Sequence, residues 1–167
     1  MRYALPALAV IAGAITACQP QPISQADEEA IRAVNTTFTA AVNAENVDAM
    51  TAVFTSDATV QPNGMPGAVG TAAIHKLFTD MMGPMRTNLR TSVTKIAGQG
   101  DMAYVTGTYH VSWTMKDSTQ TAPPAEDGKW ITVLWRQPDK SWKFASDTWN
   151  PNAMPAMPAP AHAARRH

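Results

Sequence analysis

From Ser24 onward the hydrophobic rhythm of the chain changes once, from helical to alternating. Ile31, Val34, Phe38 and Ala41 recur at three- and four-residue spacing, which predicts an amphipathic helix running to about Ala44. Ser24 with Asp27 three residues on has the form of a capping box. Glu28 and Glu29 in the first turn suit the positive end of the helix dipole. A shorter helix follows, with Asn46 as its N-cap and Val47, Met50 and Phe54 turned inward. Asp57-Ala58-Thr59-Val60 reads as a brief strand ended by Pro62-Asn63-Gly64. Thr71 is then expected to cap a third helix, with Ile74, Leu77, Phe78 and Met81 as its stripe, His75 off that stripe in solvent, and Gly83-Pro84 as its stop.

Beyond residue 86 the period is two. Strands are expected at about 88–97, 102–116, 129–137 and 142–149, with turns at Gln99-Gly100-Asp101 and Pro138-Asp139-Lys140 and a polar loop between Asp117 and Gly128. In the second strand Val105, Tyr109, Val111, Trp113 and Met115 form the more buried face, which puts His110 outside with Thr106, Thr108, Ser112 and Thr114. In the last strand, strict alternation places Asp147 with Ala145 and Trp149, opposite Phe144, Ser146 and Thr148. Helices first and antiparallel strands afterwards predict an α+β domain with the helices on one face of the sheet. No internal repeat is visible.

The 167 residues carry 13 basic and 13 acidic side chains and are 45% hydrophobic, enough for one domain with a real core. Charged residues are only 16%, which argues against a disordered chain and against a strongly basic nucleic-acid binder. Residues 1–17 are an apolar run with Arg2 as its one charge, too short to span about 30 Å of hydrocarbon and shaped like a signal-peptide core. Ile15-Thr16-Ala17-Cys18 resembles a bacterial lipobox, so residues 1–17 are expected to be removed and Cys18 lipidated. Gln19 after the cysteine resembles an outer-membrane sorting signal. On that resemblance the protein is expected in the bacterial cell envelope, lipid-anchored on the periplasmic side of the outer membrane; the plainer alternative is an ordinary secretory signal with an incidental cysteine. Removing residues 1–17 takes away Arg2 and leaves 12 basic and 13 acidic groups. Acyl chains contribute about 0.8 kcal/mol per buried CH₂, so no basic patch is needed to hold a multiply acylated chain at a membrane. Residues 18–23 read as a tether, 24–150 as the domain, and 151–167 as a Pro/Ala-rich disordered tail. Cys18 is the sole cysteine, which excludes an intrachain disulfide.

Val42-Asn43-Ala44-Glu45-Asn46-Val47-Asp48, Val53 to Val60, and Gly70-Thr71-Ala72-Ala73-Ile74 resemble the opening of the nuclear transport factor 2-like superfamily. Its bacterial ketosteroid isomerases and SnoaL-like polyketide cyclases are the nearest named branches. Gly128-Lys129-Trp130, Trp135-Arg136, Trp142-Lys143 and Asp147-Thr148-Trp149-Asn150 are similar to the ending of a SnoaL-like branch of unassigned function. The resemblance implies a cone-shaped curved antiparallel sheet wrapped around three helices, a pocket inside the cone, and in many members a homodimer through the sheet face.

Carried over by those motifs, the three ketosteroid-isomerase positions fall on Phe38 for the tyrosine, Pro62 (or Gln61) for the general base, and near Val133 for the protonated Asp. None of these can do that chemistry. Other family members use Asp/His or Asp/Arg pairs, for which this chain offers Asp57, His110, Asp147 and Arg136. Asp147 beside Trp149 is the better candidate base, with Asp57 second. Each also has a plain reading, as a cap or a turn residue.

The five tryptophans supply apolar area with a polar handle, so the expected ligand contacts are Phe38, Tyr109, Trp113, Trp130 and Trp149. The leading expectation is a non-catalytic pocket for a small apolar or aromatic molecule. The alternative is an enzyme of cyclase, dehydratase or hydrolase type using Asp147. No cofactor is expected, no phosphate loop is present, and the domain carries no metal-ligand cluster. In the tail, Met154, Met157, His162 and His167 combine ligand types that suit Cu(I), although an incidental spacer explains them as well.

Overall fold

Helix α1 (Gln25–Asn43) starts at Ser24, whose side chain accepts from the Asp27 backbone N–H while the Asp27 carboxylate accepts from Ser24 in return. A computed structural model describes residues 21–153, so the expected signal segment, Cys18 and the Met and His residues from Met154 onward lie outside the described residues. Helix α2 (Val47–Ala52) is capped by the Asn46 side chain, which accepts from Ala49 N–H at 2.9 Å. Phe54 belongs not to α2 but to the first residue of β1 (Phe54–Pro62), a longer strand than the expected Asp57–Val60. A two-residue strand β2 (Ala68–Val69) pairs with it. Helix α3 (Thr71–Met82) has Gly70 at its N-cap, with φ 80°, and makes no side-chain cap bond. Thr71 is therefore the first helical residue rather than the cap.

The remaining strands are β3 (Met85–Gln99), β4 (Met102–Met115), β5 (Glu126–Arg136) and β6 (Trp142–Pro151). They form a six-stranded sheet in the order β2-β1-β6-β5-β4-β3. Pairings are antiparallel except β1 with β6, which is parallel. The expected antiparallel sheet is thus mixed. Most of the domain lies between β1 and β6 in sequence, ample length for the long return that a parallel pair requires. Bulges between Val93 and Lys95, and between Ser146 and Phe144 opposite Val133 and Leu134, bend the sheet around the helices.

All four phenylalanines of the chain meet where α1 and α3 press on β1 and β6. Phe38, Phe54, Phe78 and Phe144 contact one another edge-on or tilted, with centroids 5.3–5.9 Å apart. This cluster closes the narrow end of the cone. At the β3–β4 turn the chain entering α1 is tied to the sheet: Gly100 N–H donates to Gln21 O at 2.9 Å and Ile23 N–H to Gly98 O at 3.3 Å. Arg136 fastens the same corner by bonding Asp27 at 2.5 Å and Asp101 at 3.1 Å while its guanidinium lies 4.5 Å from the Trp142 ring.

Candidate functional site

Between the concave face of the sheet and the three helices lies a cavity of about 140 Å³, partly open to solvent. Apolar side chains from every helix and from β3 to β6 dominate its walls, and among the described residues no Lys, Arg or His lines it. Two wall aromatics stand where they do because the opposing strand carries glycine. Gly107 pairs with Trp130 and Gly128 with Tyr109 across β4 and β5. A Cβ at 107 would come within 2.6 Å of the Trp130 ring, and one at 128 within 2.1 Å of the Tyr109 ring. The glycines leave the space into which each ring folds flat against the sheet.

Asp147, on β6, is 6% exposed and faces the cavity. Thr132, its register partner on β5, donates its hydroxyl to the carboxylate, and the backbone N–H of Thr148 donates to it as well. Burial is the largest influence and pushes the carboxyl up to about 6, while the two hydrogen bonds pull the other way. With no cation among the lining residues, nothing offsets the desolvation electrostatically. Asp147 therefore changes charge near neutral pH inside a mostly apolar chamber.

The other polar groups are few. The Tyr109 hydroxyl donates to Glu126; burial first, and then the carboxylate, raise its pKa, so it stays a neutral donor committed to Glu126. Among the described residues the Trp130 indole N–H is buried without a partner. Asn35, 6% exposed on α1, also lines the cavity. A polar side chain buried at a cost of order 1–3 kcal/mol and left unpaired is a position at which a ligand's hydrogen-bonding group gains.

The cavity brings together Phe38, Tyr109, Trp113, Trp130, Trp149 and Asp147 from the residues singled out in the sequence. Asp57 is exposed and does not line it. His110 is on the outer sheet face, bonded to Asp127 at 2.9 Å. His75 is bonded to Asp48 at 3.0 Å on the surface. Arg136 belongs to the corner with Asp27. Pro62 is buried outside the cavity, and Val133 faces away while its neighbour Thr132 points in. Phe144 lines the cavity together with Asp147, against the strict alternation expected of β6, because the bulge adds Ala145 and resets the pleat between them. Asn35, Thr132 and Glu126 were not singled out. Asn35 was legible in principle, as a polar residue four after Ile31 and three before Phe38 on the apolar stripe. Among the described residues no group of three or more His, Cys, Asp or Glu could hold a metal ion, and no helix is long and apolar enough to cross a membrane.

A family model for the SnoaL-like domain matches residues 35–142. No match was found among curated proteins. Among solved structures, a ketosteroid isomerase-like protein from Erwinia carotovora atroseptica superposes with a TM-score of 0.71 at 17% identity, covering 78% of this chain and all of that one. A Novosphingobium aromaticivorans protein described as a scytalone dehydratase gives 0.67 at 17% identity over 77% of this chain and 85% of its own. Another from the same organism, described as an aromatic ring hydroxylase, gives 0.64 at 25% identity over 80% and 93%. The cone, the helix order and the matched span together place this chain in the SnoaL-like domain family, on the fold shared with ketosteroid isomerase-like proteins.

Proposed function

We propose that the protein is an acid–base enzyme of the cyclase or dehydratase kind, acting on a small, largely apolar molecule with Asp147 as the group that moves the proton. The observation that carries this reading is a buried carboxyl facing a mostly apolar cavity with no cation among the described residues that line it, where burial pushes its pKa up to about 6. A general acid–base group works best with a pKa near the working pH, and burial supplies that here. Ionised, Asp147 accepts a proton from a carbon next to a carbonyl. Protonated, it returns that proton, or delivers it to a departing hydroxyl. The three ketosteroid-isomerase positions remain without the required groups, so steroid isomerisation is not the activity proposed. The size agrees: 140 Å³ is comparable with an engineered cavity of about 150 Å³ that admits benzene, which sets the scale at one ring rather than four. Asn35 supports the same reading as a group able to orient one polar substituent.

The lipobox at Cys18 supports placing this activity in the bacterial envelope on a lipid anchor. Homodimerisation through the outer sheet face is compatible with it.

The test starts from native mass spectrometry of the chain purified from its own envelope, to obtain the molecule that co-purifies. That molecule is then incubated in D₂O with wild type and with Asp147→Asn. Wild type is expected to convert it or exchange a carbon-bound proton, and the variant to bind it with at least a 100-fold slower reaction. Equal rates in the two proteins, or an unchanged ligand with no exchange, refute the enzyme and leave the non-catalytic binder.

A further inference from the structure

Three large apolar side chains are exposed together on the convex face of the sheet: Met102 at 48%, Trp135 at 45% and Ile131 at 42%. Met102 and Trp135 are register partners at the ends of β4 and β5, with Tyr104 and Val133 half-buried on the same face just beyond them. The rest of the face is polar, with Thr108, Lys129, His110 and Asp127 running toward the other end. The apolar strip therefore starts at one rim with Met102 and Trp135 and runs inward to Ile131, midway along β5. Lys143 lies opposite Trp135 in register, and Lys95 lies 5.6 Å from the Tyr104 ring, so cations flank the patch.

The same rim is where the chain arrives from Cys18. Gln21 O accepts from Gly100 N–H, Pro22 bridges Gln99, and Arg136 N–H donates to Asp101 O, all within the turn next to Met102 and Trp135. Cys18 precedes Gln21 by three residues, which reach at most about 11 Å. A lipid on Cys18 would therefore hold this end of the domain close to the bilayer.

We infer that Trp135, Met102 and Ile131 form a membrane-docking surface that rests on the lipid headgroup layer beside the acylated cysteine. The inference depends on acylation of Cys18. Tryptophan is suited to this depth because its ring is apolar and its N–H stays wet, and the flanking lysines meet anionic headgroups. Docking also fixes what the site faces. The half-buried cavity residues Thr87, Trp113 and Glu126 lie at the opposite end of the sheet from the β3–β4 turn. Trp113 is eleven residues along β4 from Met102, roughly 35 Å of strand. Docking thus keeps this end of the cavity wall away from the lipid, toward the aqueous compartment.

The test uses the acylated full-length protein in vesicles of phosphatidylethanolamine and phosphatidylglycerol carrying brominated acyl chains, which quench indoles at the interface. The expected result is a loss of tryptophan emission relative to unbrominated vesicles, absent in Trp135→Phe. Amides of residues 131–135 are also expected to exchange more slowly on vesicles than in detergent. If the mass of the N-terminal fragment shows acylated Cys18 while Trp135 is not quenched, docking is overturned and the anchor stands. If Cys18 carries no lipid, anchor and docking fall together. A dimer in solution whose formation protects residues 131–135 equally assigns the patch to a second copy and overturns the inference. None of these outcomes touches the acid–base reading of Asp147.

Discussion

Replacing Asp147 by Asn removes a charge from the cavity while keeping the size and shape of the side chain. In the folded protein burial holds this carboxyl at about 6, against an ordinary value of 3.8, so the native state binds its proton more tightly than the unfolded chain does. At about 1.4 kcal/mol per tenfold in proton affinity, the difference is worth about 3 kcal/mol. Because the folded value is the raised one, the stabilisation is fully present below about pH 4 and is lost as pH rises through about 6. At pH 8 the wild type carries an ionised, desolvated carboxylate and the variant does not.

Asn has its own cost: one of the two donors at the site, Thr132 Oγ1 or Thr148 N–H, meets an NH₂ group instead of an oxygen. That cost is independent of pH, so the informative quantity is the change with pH, not the difference at any single pH. Urea unfolding of both proteins at pH 4, 5, 6, 7 and 8 measures it directly, and every other titrating group cancels between them. The stability of the variant relative to wild type is expected to rise by about 2–3 kcal/mol from pH 4 to pH 8, most steeply near pH 5, midway between the unfolded and folded values. A difference that stays flat across this range refutes the burial argument. It also removes the poised proton-transfer group on which the proposed enzyme depends.

Thr132→Val deletes the donor that favours the ionised form, so the Asp147 titration, followed by carboxyl carbon NMR, is expected to move further toward alkaline pH. An unmoved midpoint would show that the hydroxyl does not act on the carboxylate. Gly128→Ala puts a methyl within 2.1 Å of the Tyr109 ring and must displace it. A stability loss of about 1–3 kcal/mol with altered Tyr109 ring shifts is expected, and a neutral result refutes the wall geometry. Arg136→Ala strips Asp27, held well below the usual carboxylate range chiefly by this guanidinium, of its main partner. A depressed carboxyl stabilises above its ordinary value and loses that contribution as pH falls, so the variant is expected to be weaker by about 1–3 kcal/mol at pH 7. The gap should narrow when the comparison is repeated below pH 4, and chemical denaturation at the two pH values checks both.

What could be read from the chain follows the reach of the interactions involved. Periodicity and capping are local, so Ile31, Val34 and Phe38 mark α1, and Ser24 with Asp27 marks its start within one residue. The inward face of β4 was legible for the same reason, since one face is rich in apolar side chains and a slip of one residue would expose them all. The parallel pairing of β1 with β6 was not, because the two strands are partners only through everything folded between them.

Asp147 shows where local reading stops. Its neighbours on β6 gave it the correct face beside Trp149 and the wrong relation to Phe144, because a bulge is an extra residue that no alternation rule can place. Its acidity was less legible still. The rise to about 6 comes from what surrounds it, an apolar cavity without a cation, and those walls are drawn from three helices and four strands. A carboxylate written in the sequence acquires its function only from groups that fail to neutralise it, and such absences have no motif. Asn35 makes the same point from the other side. A polar residue on the apolar stripe of α1 is visible in the sequence, yet only its place in the cavity wall distinguishes a candidate ligand contact from an ordinary core residue.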